Sequence, residues 1–193
     1  MVTAQFNGAL RDVKAQVKTP VILFPANAYQ VCPHADAILF LSLLSGRNPQ
    51  YLVGEQVNGA PLVKAFGLEP IPTGYLLIES GKPTSVAYMS GTQPIPADKP
   101  DIAKAHALAA EYFGMKFVYL EAGSGATSAV PDTLIRAVRD YVSVPLIVGG
   151  GIQSPEVARQ KVAAGASAVV VGQALEESAA PKVLREFADA IHG

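Results

Sequence analysis

The sequence has a single cysteine, Cys32, among 193 residues, so an intrachain disulfide is excluded. A lone thiol fits a reducing compartment, and Cys32 reads as a packing or loop residue. Charge of either sign is also scarce, with 15 Lys and Arg against 16 Asp and Glu for a formal net charge of -1. That balance offers no general attraction to nucleic acid or to an anionic membrane, so an anionic ligand must be held by local geometry. No apolar run reaches the roughly 18 residues of a membrane span, and the N-terminus has no basic-then-apolar signal pattern. A soluble, cytoplasmic protein is expected. The three histidines, His34, His106 and His192, make no metal-ligand spacing with one another or with Cys32. What is plentiful is apolar side chain, half of all residues. It supplies one sizeable core, read as a single domain over residues 1–193.

The most informative stretch is the last third. Val144-Pro145-Leu146-Ile147-Val148-Gly149-Gly150-Gly151-Ile152 is followed by Ala164-Gly165-Ala166-Ser167-Ala168-Val169-Val170-Val171-Gly172. Each is a short β-branched run ending in glycine, with a segment of helical character between them. Glycine lets the backbone approach an anion closely, and N–H groups at a helix start point at it with the positive end of the helix dipole. In (β/α)8 barrels a phosphate is commonly held by the last two strand-end loops. Two such units in succession therefore point to phosphate, although a purely structural turn uses the same residues.

Earlier in the chain, Phe6, Leu10, Val13 and Val17 recur at helical spacing before Thr19-Pro20. Val21-Ile22-Leu23-Phe24 and Ala37-Ile38-Leu39-Phe40-Leu41 read as buried strands. Residues 55–64 have helical character, and a further strand lies within 71–79. A Gly/Pro/Ser/Thr-rich loop from Ser80 to Lys99 comes next, and loops of that length are usually functional or disordered. Pro100 opens a helix, Phe117-Val118-Tyr119-Leu120-Glu121 is a strand, and Pro131, Ser154-Pro155 and Pro181 mark the starts of later helices. Six apolar strands in alternation with helices predict a parallel α/β sheet, two strands short of a closed barrel.

Glu121 is an acid at the carboxyl end of an apolar strand, where ligands bind in parallel sheets. Such a residue can accept hydrogen bonds from substrate hydroxyls or act as a base; it can also be a salt-bridged or capping carboxylate. Tyr119 points to the same face. Ser124 lies between Gly123 and Gly125, but the spacing does not match a G-x-S-x-G nucleophile elbow. Asp36, Arg47 and Glu79 stand near strand ends, and periodicity does not decide between site and surface for them.

These motifs resemble the geranylgeranylglyceryl phosphate synthase family, which includes the heptaprenylglyceryl phosphate synthases. The resemblance is carried by Pro20 to Pro25, Ala35-Asp36-Ala37-Ile38, Ser42-Leu43-Leu44 with Arg47-Asn48-Pro49, Gly67 to Tyr75, Pro94 to Pro100, Tyr119 to Gly125 and Val148 to Ile152. It implies a TIM-barrel prenyltransferase that joins a polyprenyl diphosphate to sn-glycerol 1-phosphate with magnesium as cofactor. By the same resemblance, Tyr119, Leu120, Glu121, Ala122, Gly123, Ser124 and Gly125 form the glycerol-phosphate segment, with Glu121 the catalytic residue. Gly149, Gly150, Gly151, Gly172 and Gln173 form the phosphate cradle. The prenyl tail is expected in an apolar groove near the early strands.

The resemblance also implies a homo-oligomer. Four departures stand out. Gly46 replaces the more usual serine and Ala26 a glycine, and Gln173 is larger than the usual polar residue. Most importantly, the family's first strand, first helix and second strand have no counterpart here. Those elements carry the magnesium aspartate and a Gly-Gly-Ser/Thr segment facing the diphosphate. We therefore expect an N-terminally truncated barrel with Met1 as an internal methionine, no metal ligands in the sequence given, and doubtful activity as it stands. Asp36 and Glu79 are the available substitutes for the missing aspartate. The alternatives are a non-catalytic phosphate-binding partial barrel or structural subunit, and another phosphate-handling barrel enzyme.

Overall fold

The computed structural model describes residues 2–178 and 180–193. In chain order the elements are α1 (Val2–Gln16), β1 (Ile22–Leu23), β2 (Ala37–Leu43), α2 (Glu55–Ala65), β3 (Glu69–Leu77), α3 (Ser85–Ser90) and α4 (Pro100–Tyr112). They continue with β4 (Phe117–Glu121), α5 (Asp132–Arg139), β5 (Leu146–Gly149), α6 (Pro155–Ala163), β6 (Ala168–Val170), α7 (Gln173–Ser178) and α8 (Pro181–His192). The six strands form one parallel sheet in sequential order, β1 to β6. This is the expected six-stranded portion of a barrel, with β1 and β6 as its two edges among the described residues.

Alternation along each strand separates two cores. Leu76, Ile78, Val118, Leu120, Leu146 and Val148 face the helices and pack on Ala103, Ala107, Ala110, Leu134, Ile135 and Val138. Leu39, Leu43, Tyr75, Leu77, Tyr119 and Ile147 line the opposite, inner face. The alanine face of α4 lets that helix lie close to the sheet. A methyl at Gly74 of β3 would stand 2.7 Å from the Ala110 Cβ, so small residues on both sides set the spacing. Pro70 and Pro72 fall in the part of β3 that pairs only with β2, because pairing with β4 starts at Thr73. A strand with one free side tolerates the missing N–H.

Several expectations are modified. In α1, Phe6 and Leu10 pack on the small cluster around Leu23, Cys32 and Ile38, whereas Val13 and Val17 are exposed. Cys32 is fully buried there and serves packing. The long loop from Ser80 is interrupted by α3, which Thr84 caps by accepting from the Ala87 N–H and which Gly91 ends in the left-handed region. A bridge between Ile78 and Ile95 ties the loop to the sheet. Arg47 does not reach a site; its guanidinium donates to the carbonyls of Leu44 and Gly46. At Gly46 itself, a Cβ would lie 2.6 Å from Thr92 Oγ1, so the neighbouring threonine leaves no room for a side chain there unless it moves.

Candidate active site at the carboxyl ends of the strands

Cross-strand register places Leu77, Glu121, Gly149 and Val170 in one row at the carboxyl end of the sheet. Tyr75, Tyr119, Ile147 and Ala168 form the row beneath it. Glu121 is thus delivered to the inner face by the same alternation that buries Tyr119. It is 5% exposed, and a carboxylate so enclosed requires compensating donors. One is the Gly123 N–H, which donates to Oε1 at 2.6 Å. Burial raises the Glu121 pKa above its ordinary value, and the Gly123 N–H and the nearby Tyr119 hydroxyl pull more weakly the other way. Among the described residues the Tyr119 hydroxyl, buried close to the carboxylate, has no partner that meets hydrogen-bond geometry. Its pKa is raised, first by burial and then by the Glu121 charge.

Glycines enclose this pair. A methyl on Gly149 would run into the Tyr119 hydroxyl and lie 3.1 Å from Glu121 Oε2. On Gly150 it would lie 2.5 Å from Glu121 Oε1, and on Gly151 2.6 Å from the Ser128 backbone. Gly150 and Gly151 both have positive φ, so their amides turn away from the strand pairing, which ends at Gly149 and Val170. Gly172 differs from all three. A Cβ there would meet nothing within 4 Å, and its φ, like that of Gly149, is ordinary. Ser124 is exposed and Gly125 has positive φ on the facing rim. Leu120 and Ala122 point into the helix-side core, leaving only their main chain for a ligand. Gln173 is exposed, with its side-chain amide donating to Glu177 at 2.8 Å.

A groove of about 580 Å³ opens at Tyr75, in the row beneath Glu121. Phe24, Leu39, Leu41, Tyr51, Val63 and Val86 are among its predominantly apolar lining residues. Tyr75 also lines it and stacks on Tyr119, ring centroids 5.3 Å apart, while Phe24 lies 5.0 Å from Tyr119. Three aromatic rings therefore connect the groove to the acid. The sequence signal for them is a tyrosine two residues before the end of both β3 and β4.

Of the two acids that could substitute as metal ligands, Asp36 stands at the opposite end of the sheet. It is at the amino end of β2, where it accepts from Lys14 and from the Val21 N–H. Glu79 is exposed. Among the described residues, no group of three His, Cys, Asp or Glu side chains could hold a metal, and no helix is long and apolar enough to cross a membrane.

A parallel β/α sheet with a buried acid, glycine loops and an apolar groove at its carboxyl edge is the architecture of a barrel enzyme that handles phosphate and an apolar partner. The chain belongs to the PcrB family, whose model matches residues 3–191. It is 46% identical over 192 residues to the geranylgeranylglyceryl phosphate synthase of Chitinophaga pinensis, covering 100% of this chain and 75% of that protein. The Pyrococcus horikoshii protein of the same name is 44% identical over 185 residues, covering 96% and 72%. The crystal structure of (S)-3-O-geranylgeranylglyceryl phosphate synthase from Thermoplasma acidophilum in complex with sn-glycerol 1-phosphate superposes with a TM-score of 0.92 at 37% identity, covering 98% of this chain and 76% of that one.

Proposed function

We propose that the chain is a prenyltransferase of ether-lipid synthesis that joins a polyprenyl diphosphate, geranylgeranyl diphosphate first among them, to sn-glycerol 1-phosphate. The observation that carries this reading is Glu121, a buried acid linked through Tyr119 and Tyr75 to an apolar groove. The prenyl chain lies in the groove. The glycerol phosphate lies over Glu121, with its phosphate on the main chain of Gly150 and Gly151 and, across the sheet, of Gly172 and Gln173. The Tyr119 hydroxyl is free to bond a glycerol hydroxyl. Gly123, Ser124 and Gly125 form the opposite rim.

In the reaction, the glycerol 3-hydroxyl oxygen forms a bond to the allylic carbon while that carbon's bond to the diphosphate oxygen breaks. Diphosphate leaves, and the hydroxyl proton passes to Glu121. Burial makes Glu121 a stronger proton acceptor than an exposed glutamate. No group of three His, Cys, Asp or Glu side chains among the described residues could hold magnesium, which would have to be carried largely by the diphosphate's own oxygens, where it would neutralise the leaving charge. A cytoplasmic homo-oligomer is part of the same proposal, checked by size-exclusion chromatography.

The test is an assay with radiolabelled sn-glycerol 1-phosphate and prenyl diphosphates of several lengths. Extractable ether product supports the reading. Binding of sn-glycerol 1-phosphate without product in any condition would instead identify a phosphate-ligand-binding partial barrel.

A further inference from the structure

Gly149 is at the strand end of a Gly-Gly-Gly run whose most direct reading is phosphate contact. Its surroundings point elsewhere. It belongs to β5, paired with Glu121 on one side and Val170 on the other, and it is buried. A Cβ there would meet the Tyr119 hydroxyl at a distance no real contact allows, and would lie 2.9 Å from Tyr119 Cζ. The same atom would lie 3.1 Å from Glu121 Oε2. Its φ is ordinary, so backbone conformation does not demand glycine. Close approach of the tyrosine and the acid does.

We infer that Gly149 is a positioning residue for Tyr119 and Glu121, so that it governs recognition of the glycerol hydroxyls and not of the phosphate. The inference rests on the proposed glycerol-phosphate site. A side chain at 149 displaces the Tyr119 ring and pushes the carboxylate away from its place beside the Gly123 N–H, while the amides of Gly150 and Gly151 keep their positions. Contact with the hydroxyl dominates, because the carboxylate distance is tight but tolerable. Removing that oxygen relieves the worst of the clash and leaves the ring, with Cζ at 2.9 Å, to shift by a few tenths of an ångström.

The experiment is calorimetric titration of the full chain with sn-glycerol 1-phosphate and, separately, with inorganic phosphate, for wild type, Gly149→Ala, Tyr119→Phe and the double variant. Gly149→Ala is expected to weaken glycerol phosphate at least tenfold and to change inorganic phosphate less than twofold. The double variant is expected within about threefold of Tyr119→Phe alone. A parallel loss of both ligands in Gly149→Ala would make the residue part of the phosphate cradle and overturn the inference. So would a double variant no better than Gly149→Ala. If wild type binds neither ligand, the glycerol-phosphate reading fails by itself, and thermal melts still judge the contact. Tyr119→Phe must then recover the melting temperature that Gly149→Ala loses, and failure to recover it, or a double variant that does not fold, overturns the inference.

Discussion

Gly149 stands directly across from Glu121 in the pairing of β4 with β5, and the Glu121 carboxylate with the Tyr119 hydroxyl fills the space that a side chain at 149 would need. Among the described residues the acid is therefore held by strand register and glycine backbone, with a hydrogen bond from the Gly123 N–H. Such an acid sits in a costly environment when charged.

The cost has a pH signature. The folded pKa of Glu121 is raised above the ordinary 4.5, so between those two values the folded chain binds the proton that the unfolded chain has released. Stability falls as pH rises through that window. Glu121→Gln, which keeps the shape without the charge, is expected to raise the melting temperature at pH 8, with the gain shrinking toward zero below the ordinary glutamate pKa. A gain equal at all pH values would contradict this.

Gly172 supplies a second test. No neighbour and no positive φ requires glycine there. Gly172→Ala is expected to melt within about a degree of wild type and to bind inorganic phosphate several-fold more weakly, because the added methyl meets only the ligand. A fall in melting temperature with unchanged binding would locate its role in folding.

The six strands were legible because a parallel strand buried on both faces is a continuous apolar run, and Glu121 stood out by ending such a run. The small helices α3 and α7 were not legible, since six residues display too little of the helical period. The groove was hidden for another reason. Phe24, Leu41, Tyr51, Val63 and Val86 come from separate parts of the chain and each reads as core. Gly149 was legible as a glycine, but its neighbour Tyr119 is on another strand, and only register brings the two together.

Lys161 of α6 is 6% exposed and donates to Asp132 at the start of α5 at 2.5 Å. Asp132→Asn leaves the ammonium buried without its counter-charge and is expected to cost about 2 kcal/mol, less than a fully buried pair because Asp132 is partly exposed. Lys161→Met is expected to cost less, since the methionine fills the same space and strands only the half-wet carboxylate. Urea unfolding of both variants checks the order, and the reverse order would contradict it.

Leu120 tests the assignment of faces. It is fully buried on the helix side of β4, so Leu120→Ala is expected to destabilise by about 3 kcal/mol through the cavity it leaves. Affinity for sn-glycerol 1-phosphate in the folded fraction is expected to stay within twofold. A large loss of affinity with little loss of stability would place this side chain on the ligand.

The most direct measurement is transfer itself, comparing wild type and Glu121→Gln with radiolabelled sn-glycerol 1-phosphate and geranylgeranyl diphosphate while binding of the glycerol phosphate is followed by calorimetry. Glu121→Gln is expected to form at least a hundredfold less ether product than wild type, with affinity for the glycerol phosphate retained within about tenfold. Turnover by Glu121→Gln at the wild-type rate would contradict the role given to this acid.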